Sequence, residues 1–278
     1  MGISRSTFYK KPIREQQQLT SDLKLKKQIE DLHQELPGYG YRRIREHFLR
    51  EGIAINTKKI RRVMNIYKLR SSRRKSVGPK GKRSVHQLYY PNLIRGLKLT
   101  GPNQLWATDI TFIKLINGFV YLSAIIDVYT RKIIGWSVSK NLSHEFCLKS
   151  LEVALKERIP GPGIIHHSDR GTQYTCDNYV DFLKKHGFKI SMSNVGLPQD
   201  NAHIEAFFKT LKHEEVYAKN YKTMRDVVQN LPKFLDMVYN HKRLHSSIGY
   251  KTPDEFEKEI MELNPADRPV QKLWGWAV

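Results

Sequence analysis

Apolar positions early in the chain recur at helical spacing, whereas those after residue 104 alternate as strands do. Leu25, Ile29, Leu32 and Leu36 form one helical stripe, which Gly38 and Gly40 interrupt. Tyr41, Ile44 and Phe48 form a second, closed by Gly52. Asn56-Thr57 caps a third, with Ile60, Val63, Met64 and Tyr67 on its apolar face. Further on, LWATDITFIKL meets FVYLSAIIDVYT across Asn117-Gly118, a two-residue hairpin signal. KIIGWSVSK adds a third strand, and SHEFCLKSLEVALKER a helix that starts at Ser143. IIHHS, DNYVDFLKKHG and FKISMS continue as strand, helix and strand. The order β-β-β-α-β-α-β predicts an α/β domain, a mixed five-stranded sheet flanked by helices and preceded by a small all-α unit.

These patterns divide the chain into an N-terminal tail (1–20), a helix-turn-helix-like unit (21–70) and a basic linker (71–103). A catalytic domain with C-terminal helices (104–260) and a tail (261–278) follow. The long helix MRDVVQNLPKFLDMVYNHK is expected to bend at Pro232, which lacks an amide hydrogen.

Charge sharpens the reading of the first third. Residues 1–100 carry 25 Lys+Arg against 7 Asp+Glu, while the other 178 carry 23 against 20. A basic block of this kind attracts polyanions with a steep salt dependence. On the third helix, Lys58, Lys59, Arg61 and Arg62 lie on or near the face opposite the apolar stripe. That arrangement suits a last helix entering the major groove of double-stranded DNA. No apolar run reaches the ~18–20 residues of a membrane span. Cys147 and Cys176 fit neither a disulfide framework nor a zinc site, so a reducing cytoplasm is expected, and the basic block adds the expectation of nucleoid association.

Three acids stand out in the second part. Asp109 interrupts a strand, on the face that carries Leu105, Ala107, Thr111 and Ile113. Asp169 ends the apolar GIIHHSD, and Glu205 opens the helical NAHIEAFFKTLKHEE 35 intervening residues later. An unpaired carboxylate in such a place is costly, whereas hard divalent ions prefer carboxylate oxygens. His166 and His167 flank the strand before Asp169 and read as core or supporting groups. Asp127 reads as a turn residue.

The segments WATDIT, HSDRGTQY, DNAHIEAFFKTLK and YNHKRLHSSIGYKTPDEF together resemble the catalytic core of OrfB-type insertion-sequence transposases. These belong to the retroviral integrase superfamily, with an RNase H-like fold. The likeness spans roughly residues 20 to 258. It implies Asp109, Asp169 and Glu205 as a catalytic triad holding two ions, Mg²⁺ or Mn²⁺, for cleavage and joining of element ends. It implies DNA contacts at Lys212, and further ones are expected at Lys209, Arg170, Arg243 and His245. Partners implied by it are element-end and target DNA, further copies of the chain on DNA, and an upstream-frame DNA-binding subunit. A hydrolytic nuclease and a DNA-binding repressor are the competing expectations.

Overall fold

The computed structural model describes residues 5–69, 89–159, 161–194 and 197–273, the side chains of 5–14 and of Pro198 excepted. The chain forms two compact units, residues 1–73 and 74–278.

The first unit consists of α1 (Arg5–Glu35), α2 (Tyr41–Arg50) and α3 (Thr57–Ile66). Its core is the predicted stripe: Leu25, Ile29, Leu32 and Leu36 pack with Ile44, Phe48, Ile60 and Val63, all buried. Asn56 caps α3, its side chain accepting from the Lys58 amide at 2.8 Å. Gly52, at φ +76°, takes a left-handed turn after α2 that a β-carbon would strain. The structure corrects the expected tail: α1 begins at Arg5 instead of near residue 21. Leu19 on that extension is exposed, so periodic burial gave no sign of it.

In the second unit, β2 (Leu105–Leu115), β3 (Gly118–Asp127), β4 (Ile133–Ser139), β5 (Ile165–Ser168) and β6 (Lys189–Met192) form the predicted five-stranded sheet. Its order is β4-β3-β2-β5-β6, with β2, β3 and β4 antiparallel and β5 and β6 parallel to β2. Gly118 supplies φ +108° at the hairpin turn. One face of the sheet packs on α7 (Ala202–Leu211), α8 (Met224–Pro232) and α9 (Pro253–Glu262). The other packs on α4 (His144–Glu157) and α6 (Asp177–Lys185), with the short α5 (Thr172–Thr175) beside them.

Two details depart from the expected boundaries. β1 (Lys98–Leu99), inside the expected linker, pairs with β7 (Gln271–Lys272), inside the expected tail. The Tyr129 hydroxyl also donates to the Pro269 carbonyl at 2.8 Å, so this segment is tied to the sheet domain. Residues 71–88 of the expected linker, and Trp274 and Trp276, lie outside the described residues. At Pro232 the α-helix ends and a π-helical turn, Lys233–Tyr239, continues the chain.

Candidate active site

Asp109 stands where β2 loses one neighbour. β5 pairs with β2 only at Leu105, Trp106 and Ala107, so from Thr108 onward β2 has β3 alone as a strand partner. Helix α7 runs along that vacated side. At its start the Asn201 amide donates to the Thr108 carbonyl at 3.0 Å. Just past its end, Lys212 Nζ lies 4.4 Å from the centroid of the Phe112 ring. Arg131 also pairs with His203, anchoring the first turn. Strand and helix thereby bring Asp109 and Glu205 toward Asp169, which follows the parallel neighbour β5.

The Asp109 carboxylate accepts from the Ile110 amide at 2.7 Å, and Asp169 accepts from the Gly171 amide at 3.0 Å. A β-carbon at Gly171 would stand 3.0 Å from that same Asp169 oxygen, so glycine keeps the carboxylate uncrowded. Burial pushes the Asp109 carboxyl up to about 8, and the charge of Asp169 pushes the same way. The Ile110 amide opposes this, Glu205 adds to it, and Lys212 opposes it. Asp169 is raised too, by burial against the Gly171 hydrogen bond. Neither aspartate has an ion-pair partner among the described residues, in contrast to Asp127 and Glu214.

Glu205 faces differently. Its carboxylate lies 3.8 Å from Lys209 Nζ, and its side chain is 34% exposed. Among the described residues, no three His, Cys, Asp or Glu side chains stand close enough to hold a metal ion. The acids are therefore neighbours whose charges act on one another, with Glu205 leaning toward Lys209 instead of closing the group.

The expected DNA contacts separate into free and committed groups. Lys209 is 75% exposed, and Lys212 is half-buried between Phe112 and the acids, where burial lowers its pKa and Asp109 opposes the shift. Arg170 Nε donates to the Ser193 carbonyl at 2.8 Å, and its guanidinium lies 4.4 Å from the Tyr89 ring. In the helical unit, Lys58 and Arg61 are exposed. Lys59 donates to Ser21 at 2.6 Å, and Arg62 grips Asp22 through two bonds of 2.7 Å.

Arg243 and His245 depart most from the sequence reading. Arg243 is 3% exposed and holds Glu214 through Nε at 2.7 Å and Nη2 at 2.8 Å, with buried His245 beside it. A guanidinium so enclosed joins the C-terminal segment to the π-helical turn Lys212–Val216, so Arg243 is spent on a structural pairing with Glu214. Arg243→Met should strand the Glu214 charge and cost on the order of 3–5 kcal/mol. Urea denaturation checks this, and an unchanged midpoint would show that the pair does not hold the fold.

His166 bonds the Tyr179 hydroxyl at 3.0 Å, and His167 bridges Ser191 and Ser193 at 2.8 and 3.0 Å. Burial holds both imidazoles neutral, down to about 3 and about 4. Asp127 accepts from the amides of Asn103, Tyr129 and Thr130 at the end of β3, as a turn residue does. Asn201 escaped the sequence reading. Its place before α7 reads as a helix cap, yet the amide serves β2, and its Oδ1 is buried without a partner among the described residues.

The sequence has close relatives. A transposase for the insertion sequence element IS904 of Lactococcus lactis is 37% identical over 227 residues, 81% of this chain and 90% of the relative. The chain belongs to the insertion-sequence transposases. The InsF transposase of insertion sequence IS3A from Escherichia coli is 31% identical over 222 residues, covering 80% of this transposase and 77% of its own length. A 31 kDa protein of insertion element IS600 from Shigella sonnei is 30% identical over 94% of the chain and 97% of the relative. Integrase core domain models match residues 100–198 and 186–253, and an HTH-like domain model matches residues 20–76. A chain of the simian T-cell lymphotropic virus intasome aligns at TM-score 0.49 and 15% identity, covering 84% of this chain and 75% of that one. This transposase accordingly carries an integrase core that serves DNA transposition, behind an HTH-like unit.

Proposed function

We propose that this transposase cleaves and joins phosphodiesters at the ends of its insertion element, with Asp109, Asp169 and Glu205 holding two divalent ions, Mg²⁺ or Mn²⁺. The observation that carries the reading is the pair of neighbouring aspartates, neither matched by a basic side chain in an ion pair. Their raised pKa values measure the cost of that arrangement, and a divalent ion is the partner their hard oxygens prefer. Glu205 completes the set by leaving Lys209, a weak surface partner at 3.8 Å. Bound there, such ions supply Lewis acidity to the attacking and departing oxygens.

The protein's own groups do the remaining work. Lys209 and Lys212 neutralise phosphates beside the acids; burial lowers the Lys212 pKa, and Asp109 opposes that shift. Asn201 holds the start of the Glu205 helix against the strand of Asp109. Lys58 and Arg61 face outward to meet backbone phosphates of duplex DNA. For cleavage the nucleophile is water; for joining it is a DNA 3′-hydroxyl, whose oxygen bonds phosphorus as the bond to the departing strand breaks. No covalent enzyme intermediate is needed. Further copies of the chain on DNA, and an upstream-frame subunit, fit an enzyme that must hold two element ends.

Incubation of the transposase with pre-cleaved element ends, target plasmid and Mg²⁺ tests the proposal. Joined products are expected; hydrolysis with no joining would indicate a nuclease instead.

A further inference from the structure

Beyond residue 112, β2 and β3 form a tongue that neither β4 nor β5 accompanies, since β4 pairs with β3 only from Tyr121 to Ile126. Direct register pairs on one face of this tongue are Phe112 with Tyr121 and Lys114 with Phe119. The opposite face, with Ile113, Val120 and Leu122, is buried in the core. The first face is not. Phe119 is 39% exposed, Lys114 is exposed, and Ile116 at the tip is 70% exposed. Phe112 and Phe119 meet edge to face with centroids 5.6 Å apart. Lys212 lies over the Phe112 ring at 4.4 Å and acts electrostatically on Asp109 as well. Lys212 therefore links this face to the candidate acids, while Asp109 itself alternates onto the Ile113 side of β2.

We infer that this face is a stacking platform for unpaired DNA bases released at the cleaved element end. The inference rests on the proposed cleavage reaction, which leaves a strand end beside the acids. Aromatic rings bordered by lysines fit single-stranded nucleic acid: each base has a π-face to stack, and each phosphate meets a cation. Lys114 and Lys212 supply those cations, and no acidic side chain stands among the face residues of the tongue. A folded protein partner would be matched by charged groups of both signs, whereas the charged groups on this face are cations alone, beside its rings and the exposed Ile116 at the tip. Phe119 meets Phe112 edge to face and stays 39% exposed, which leaves it surface on which a base can stack.

Fluorescence titration of the full chain in EDTA tests the platform without requiring turnover. The probes are a blunt duplex and the same duplex with a short single-stranded extension carrying 2-aminopurine. Wild-type protein should quench the probe in the extension. Phe119→Ala and Phe119→Leu should each weaken binding of the extended duplex about tenfold, within the range of removing one base stack. Affinity for the blunt duplex should change less than about twofold, and Phe119→Trp should keep the quenching. Equal losses on both probes, or no loss with Phe119→Leu, would overturn the inference. So would altered sedimentation of DNA-free Phe119→Ala, which would assign the face to a second copy of the chain. Failure of strand joining in wild-type protein would sink the proposed reaction separately, since these titrations involve no catalysis.

Discussion

Asp109→Asn is expected to abolish metal-dependent joining, by at least about a thousandfold, while DNA retention in mobility shifts stays near wild type. The same substitution should stabilise the metal-free fold. In the native chain this carboxyl sits at about 8, above its ordinary value of 3.8, so the folded state holds a proton that the unfolded state releases. Between those two values stability falls as pH rises, because ionisation is then easier in the unfolded chain. Asparagine removes that penalty. At pH 8 in EDTA, a gain of about 2 kcal/mol corresponds to a Tm rise of about 4–8 °C for a domain of this size. The gain should shrink toward pH 4, and Mg²⁺ should raise the wild-type Tm while leaving the variant nearly unmoved. A variant that joins DNA at the wild-type rate would end the assigned role. A variant that melts lower than wild type at pH 8 would show that burial of this acid is not costly.

Removal of residues 1–73, the whole helical unit, is the second large effect. Lys58 and Arg61 face outward, and most of the excess positive charge lies in the first 100 residues. Every phosphate that the truncated chain leaves without a cation should reduce the slope of log affinity against log salt by about 0.9. A fall in affinity of at least about tenfold at moderate salt, with a flatter slope, is the expected result. Retention of the full slope by the truncated chain would place the main DNA anchor in the integrase core. Single substitutions should rank accordingly. Lys58→Ala and Arg61→Ala should weaken DNA binding, whereas Arg62→Ala should chiefly loosen the helical unit, since Arg62 is spent on Asp22.

What the sequence made legible had a repeating physical signature. The alternation in LWATDITFIKL located β2 and the face of Asp109, and the Asn117-Gly118 pair located the hairpin. The chain order then put β5, and so Asp169, beside β2. Contacts without periodicity stayed hidden. The pairing of β1 with β7 joins two-residue strands more than 170 positions apart, too short to show alternation. Arg243 meets Glu214 across 29 positions, and nothing local distinguishes a cation that seeks a buried acid from one that seeks a phosphate. Asn201 looks like an ordinary helix cap until β2 is seen to take its amide. The lean of Glu205 toward Lys209 follows from their i, i+4 spacing, which was visible. That this pairing leaves the three acids short of a closed cluster is seen only in the structure, among the described residues.

Anomalous diffraction from crystals of the transposase bound to element-end DNA and Mn²⁺ tests the central claim most directly. Two manganese peaks about 3.5–4 Å apart are predicted, with oxygens of Asp109, Asp169 and Glu205 in their coordination shells and Glu205 detached from Lys209. Manganese bound elsewhere, or Glu205 still paired with Lys209 while DNA fills the site, would contradict it.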